Sequence, residues 1–309
     1  MAVHNEQLAS HFRRHELAWL IRVFSTPTPL FHRSLTAVLG HASLPAGTRI
    51  EIRARRSREA VISSTRRVAS RYEITVRRGM FYLLLEAAEL VHSRLRRLSN
   101  SGKARYGPEW SEETLRDLVK HDITRYLTSG RWGRRMAVLR DLLVRRLLAF
   151  FGPLDSWMPT SMLLRPMVHF VVAHEVAHVA AGHCDRVWEE GAAGRLAAEL
   201  EADSIATKWW MDVINEESVG DPPQTQWIVC QFALTSIAIL FGMLQLVDDA
   251  ALKQGEEMTR NHPPANERYA QFRRRCLALG VNKEHFHRDR QVERIHRDFA
   301  RLAAAIAWS

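Results

Sequence analysis

Met162 to His183 reads MLLRPMVHFVVAHEVAHVAAGH, an apolar run carrying groups that an apolar setting does not tolerate alone. Its length and apolar character predict a mostly buried helix, with Pro166 suited to the first turn and Gly182 near the end. Burying His174, Glu175 and His178 without partners is costly, so whatever packs on this helix must satisfy them. Four residues slightly exceed one turn, so the two imidazoles project from one face, roughly 40° apart, and suit one tetrahedral cation. The pattern His174-Glu175-Val176-Ala177-His178 therefore implies a Zn²⁺-dependent peptidase site. In it the metal polarises a carbonyl and acidifies water, while Glu175 acts as general base. The competing reading is a pair of core histidines hydrogen-bonded to their neighbours.

A third ligand follows from spacing. His183 lies five residues after His178, roughly 140° around a continuous helix, and so faces away from the metal. A metzincin site would place its third histidine six residues on, after a glycine turn, and the register here is one short. His183 instead reads as a cap or as a support for a ligand. Further on, Ala197 to Ala206 is an alanine-rich helical stretch in which Glu199 and Asp203 share a face at i, i+4. Glu199 then completes a His174, His178, Glu199 ligand set, and Asp203, one turn away, holds the N–H of a ligand histidine. Glu201 projects elsewhere and reads as a solvated charge, with exchange of Glu201 for Glu199 as the alternative. Cys184 is a further candidate ligand, against the simpler reading of a buried inert thiol.

With these residues in place the chain resembles a family. The histidine pair, Glu199 to Asp203 (E-x-E-A-D), Ala206-Thr207-Lys208-Trp209, and then Asn261-His262-Pro263-Pro264-Ala265-Asn266-Glu267-Arg268 resemble the phage-exclusion peptidases of the Lit type. The same motif order is similar to the wider gluzincin group, which includes the CAAX-prenyl and HtpX-type endopeptidases. The resemblance covers roughly residues 165 to 272 and implies a zincin-like core. It also implies an intracellular protein substrate, specifically a translation elongation factor cleaved after a phage-derived activating peptide. His262 is a candidate donor to the tetrahedral oxyanion, and Arg268 a residue that orients it or pairs with Asp203 or Glu267. The alternative for this segment is a rigid helix start, capped by Asn261 with the prolines in the first turn.

Charge separates two regions. Residues 1–150 carry 28 Lys and Arg against 13 Asp and Glu, a net of +15, whereas residues 151–309 carry a net of −5. The clusters Arg53-Ala54-Arg55-Arg56-Ser57-Arg58, Arg94-Leu95-Arg96-Arg97 and Arg131-Trp132-Gly133-Arg134-Arg135 suit an acidic protein, anionic lipid or nucleic acid, or are a solvated surface. No zinc finger, RNA-binding signature or phosphate loop favours nucleic acid. A second function class nonetheless remains: a non-catalytic zincin-fold module whose basic half binds nucleic acid. Glu175 argues against it, because a structural zinc site needs no base.

Three widely spaced cysteines, Cys184, Cys230 and Cys276, form no CxxC and point to a reducing, cytoplasmic setting. The first 24 residues interrupt their apolar positions with Arg13, Arg14, Glu16 and Arg22, as an amphipathic helix does and a signal peptide does not. Trp227 to Val247 holds 21 residues without a charge, about the length that spans a bilayer. Gln231, Thr235, Ser236 and Gln245 dilute it and no basic cluster anchors it, which favours a buried helix packed on the histidine helix.

The expected architecture is α+β and predominantly helical, with a basic N-terminal region over 1–150 and a helical peptidase region over 151–309. Arg49 to Ala54 and Tyr72 to Arg77 alternate apolar with polar and read as a pair of half-buried strands, with a basic loop or short helix between them. A strand here matters because zincins commonly hold extended substrate along a sheet edge. Helices are expected over 6–24, 81–98, 112–127, 136–150, 267–279 and 284–307.

Overall fold

The computed structural model of the chain describes residues 28–55, 63–77, 84, 158–185, 191–253 and 262–282. The helices expected over 6–24, 112–127, 136–150 and 284–307, nearly all of that over 81–98, Asn261, and the two arginine clusters beyond residue 90 lie outside the described residues.

The fold is α+β and predominantly helical, with a small sheet towards the N-terminal side. In chain order it runs α1 (Thr28–Leu39), β1 (Ile50–Arg55), β2 (Ser63–Val68), β3 (Arg71–Arg77), α2 (Met158–Ala180), a 3-10 turn (His183–Asp185), α3 (Gly191–Glu217), α4 (Pro223–Lys253) and α5 (Ala265–Ala278). The sheet order is β1-β3-β2, with β1 parallel to β3 and β2 antiparallel to it.

The interval expected to be a basic loop or short helix therefore holds a third strand. Its sequence, Ser-Ser-Thr-Arg-Arg-Val, has no apolar alternation, because the groups it presents to the protein are hydroxyls. The central strand β3 also departs from the half-buried reading. From Glu73 to Arg77 both faces are covered, and Ile74 and Val76 alternate with Glu73, Thr75 and Arg77, all buried. Arg53 of β1 and Arg66 of β2 satisfy the buried Glu73 carboxylate at 3.2 and 3.3 Å, so the polar side of the strand is closed by ion pairs across the sheet.

α2 is apolar all round and is the element on which α1, β2, α3 and α4 pack. It begins before Met162, so Pro166 lies in the helix interior and not in its first turn. Proline withholds the N–H that Met162 would have accepted. The Pro166 carbonyl takes a 2.9 Å hydrogen bond from the indole N–H of the fully buried Trp210 on α3. Both helices bury alanines. Ala198, Ala202 and Ala206 recur at i+4 on α3, Ala173 and Ala177 do so on α2, and all five are buried. Small side chains let the backbones approach, which brings the short carboxylates of α3 within reach of α2.

In the core, Phe170 of α2 meets Trp210 of α3, Phe241 of α4 and Phe272 of α5 edge-on. Phe170 lies 5.6 Å from both Phe241 and Phe272. This cluster locks α5 onto the bundle. The segment Pro223–Gln245 of α4 is long and apolar enough to cross a membrane, and 59% of its most apolar window is buried inside the protein. Ala233, Ile237 and Phe241 belong to the core shared with α2.

Candidate metal centre

Helical spacing places the cluster. His174 and His178, four residues apart on α2, turn their rings to one face, and α3 packs alongside, so that Glu199 meets both. Nε2 of His174 lies 3.1 Å from Nε2 of His178 and 3.2 Å from Oε2 of Glu199, and Nε2 of His178 lies 3.4 Å from Oε1 of Glu199. A tetrahedral centre with bonds of about 2.0–2.1 Å has ligand-to-ligand edges of about 3.3 Å, close to these three separations. Oε2 of Glu199 is buried beside three nitrogen-bearing side chains, yet no donor is aligned on it as a hydrogen bond. A buried acceptor left in that condition fits a cation ligand, and so does the donor set of two imidazoles and one carboxylate.

Asp203, one turn along α3, stands behind this set. Its Oδ1 lies 2.9 Å from Nδ1 of His174, although the ring N–H is not aimed straight at it. The contact leaves Nε2 of His174 for the metal. Arg268 of α5 closes the back of the site with two bonds, Nε to Oδ2 at 2.7 Å and Nη2 to Oδ1 at 2.8 Å. The guanidinium also sits over the Phe241 ring, 5.5 Å from its centroid. Of the partners expected for Arg268, the structure thus selects Asp203.

His262 precedes α5 and brings Nδ1 within 2.9 Å of Oε2 of Glu199, while its side chain remains 39% exposed. The two prolines precede the helix and do not form its first turn. Pro264 occupies the cap position and makes no side-chain cap bond.

Two sequence readings are refined here. His183 stays outside the ligand cluster and supports a ligand, as expected, but not by rotation along a continuous helix: α2 stops at Ala180, Gly182 takes a left-handed φ of 69°, and the chain folds back so that Nδ1 of His183 lies 2.9 Å from Nδ1 of His178. The rotation argument assumed a helix that the glycine ends. Nor is Glu201 simply a solvated charge, since Oε2 lies 3.0 Å from Nε2 of His183. Cys184 stands outside the metal cluster, and burial, followed by the charge of Glu175, pushes its thiol up to about 12.

Sequence reasoning missed Ser63 and Thr65 altogether. Two residues apart on β2, they share a strand face. The Ser63 hydroxyl donates to Oε1 of Glu175 at 2.7 Å and the Thr65 hydroxyl to Oε2 at 2.5 Å. Glu175 is 4% exposed, so these hydroxyls are what make its burial tolerable. The sheet is pinned to the site a second time by Asp185, which accepts from Tyr72 Oη at 2.6 Å and from Arg67 Nη1 at 3.0 Å.

The electrostatics suit a cation. Burial raises the cost of charge on Glu199, but the side chains of His174, His178 and His262 outweigh it and hold the carboxyl far below its usual range. Asp203 is likewise held down against its burial, chiefly by Arg268. Burial alone would favour neutral His174, yet Asp203 and Glu199 overcome it and raise its pKa to about 10. The two carboxylates therefore favour the imidazolium form of His174 in the metal-free site, whereas a metal ligand must be neutral. Uptake of Zn²⁺ at pH 7 is expected to release about one proton, with apparent affinity rising about tenfold per pH unit towards that pKa. Calorimetry in buffers of different ionisation enthalpy measures the release, and uptake without it would contradict the arrangement described.

Residues 160–287 match the sequence model of the family Peptidase U49, a span running from α2 past α5 that includes every metal-cluster residue. The match supports a peptidase. No curated protein and no solved structure matches the chain.

Proposed function

We propose that the chain is a zinc-dependent endopeptidase of the gluzincin kind, with a zincin-like core and His174, His178 and Glu199 as the metal ligands. The observation that carries this is the convergence of two Nε2 atoms and one carboxylate at near-tetrahedral spacing, with Glu175 between the two histidines on the same helix. Zinc, when bound, supplies a Lewis acid for the scissile carbonyl and lowers the pKa of water.

The remaining work falls to the chain's own residues. Glu175 takes a proton from the attacking water and returns it to the leaving amine. Ser63 and Thr65 hold one lone pair on each carboxylate oxygen and so aim the others. Asp203 and Arg268 fix the His174 ring from behind. His262 places Nδ1 beside Glu199 and, when both ring nitrogens carry a proton, would donate from Nε2 to the developing oxyanion.

For the target, the motif resemblance to the Lit-type phage-exclusion peptidases supports an intracellular protein, a translation elongation factor, cleaved in the cytoplasm after a phage-derived trigger. The net charge of +15 over residues 1–150 supports recruitment of an acidic protein over nucleic acid. Incubating the purified full chain with lysate of phage-infected bacteria, which would supply the trigger, and mapping new protein N-termini tests the reading. Discrete cleavage is expected, abolished by chelation, restored by Zn²⁺ and weakened as salt shortens the Debye length below about 10 Å. Cleavage indifferent to chelation would refute the zinc assignment.

A further inference from the structure

The chain reverses just after the second histidine of the cluster, and it delivers there a pair of side chains that the chemistry above does not use. Gly182, in the left-handed region, returns His183 to the flank of His178, where His183 is 3% exposed. The two rings meet through Nδ1 at 2.9 Å, and Nε2 of His183 reaches Oε2 of Glu201 on α3 at 3.0 Å.

Each contact dictates the next. A carboxylate only accepts, so His183 donates to Glu201 from Nε2. A neutral imidazole protonated there has its lone pair on Nδ1, so His183 accepts from the Nδ1–H of His178. His178 is thereby left with its lone pair on Nε2, the atom that lies 3.4 Å from Glu199 and 3.1 Å from Nε2 of His174. The two metal-cluster histidines are thus held by different devices, His174 by a buried carboxylate directly and His178 by an imidazole whose own tautomer a half-exposed carboxylate sets.

We infer that His183 is a positioning residue that sets the tautomer and ring orientation of His178, and that Glu201 sets those of His183. The inference rests on the proposed metal centre and deepens it. A residue that merely filled space beside His178 would need neither ring nitrogen, and here both are engaged.

The test uses the full chain and two readouts. One is zinc affinity by competition with a chromophoric chelator; the other is the ¹⁵N shifts of His178 in the metal-free protein, which report its tautomer. His183→Leu fills the space without an acceptor. It is expected to bind zinc about 10- to 100-fold more weakly and to let the Nε2–H form of His178 appear. His183→Asn places an acceptor oxygen near the lost Nδ1 and is expected to recover most of the affinity. Glu201→Ala should fall between, because His183 is then free to take either tautomer, and Glu201→Gln, whose amide oxygen still accepts, should stay near wild type. If His183→Leu does not fold, the contrast between Glu201→Ala and Glu201→Gln decides the question. Wild-type affinity together with an unchanged His178 tautomer in His183→Leu and Glu201→Ala would overturn the inference while leaving the metal centre standing. A wild-type protein that takes up no zinc would overturn the metal centre itself.

Discussion

Glu175→Gln is expected to lower turnover by at least about 10²–10⁴-fold while zinc content, fold and substrate binding stay as in the wild type. The expectation follows from where the carboxylate sits. Glu175 is no member of the ligand cluster, and its two oxygens face hydroxyls, which accept as readily as they donate. A hydroxyl opposite the new amide nitrogen need only rotate, so the amide is accommodated and only the proton acceptor is lost. Ser63→Ala combined with Thr65→Val should act in the same direction and less severely, lowering kcat more than it raises KM, because the base remains but is no longer aimed. Turnover of the mapped cleavage site, measured beside metal content, checks both. A Glu175→Gln protein cleaving at the wild-type rate would remove the peptidase reading.

What could be read from the amino-acid sequence was what local geometry governs. Two histidines at i, i+4, and Glu199 with Asp203 at i, i+4, meet because both pairs lie on uninterrupted helices, where spacing alone decides which side chains share a face. Where the helix stops, the same arithmetic loses its basis. His183 is no ligand, as its register implies, but Gly182 cancels the rotation and turns it back beside His178, and Glu201, on the next face of α3, gains a partner only because His183 comes back. The strand β2 was hidden for a different reason. Strands are recognised by alternating apolar residues, and the inward side chains of β2 are Ser63 and Thr65, whose partner is a carboxylate from a helix more than a hundred positions away. Burial of Glu73 on β3 was equally hidden, since a charged residue reads as exposed until the charges across the sheet that compensate it are known.

Arg268→Met is expected to destabilise the metal-free protein by about 3–5 kcal/mol, the largest stability effect of any single change near the site. Asp203 is fully buried, and both of its oxygens are taken by the guanidinium at 2.7 and 2.8 Å. Removing that cation leaves a carboxylate with no water to replace it, facing a histidine that cannot supply both bonds. Arg268→Lys should recover only part of the loss, because a point charge on a flexible stem does not reproduce the planar two-bond geometry. The double change Asp203→Asn with Arg268→Met separates stability from function. Taking out both charges should restore much of the stability lost in Arg268→Met, as buried ion pairs often prove replaceable, whereas zinc affinity should stay low because His174 has lost its carboxylate. Urea unfolding of the metal-free proteins, with zinc competition on the same samples, measures the two quantities independently. An Arg268→Met protein within about 1 kcal/mol of wild type would mean that solvent reaches Asp203. The pair would then be a surface contact and not the buried brace that orients His174.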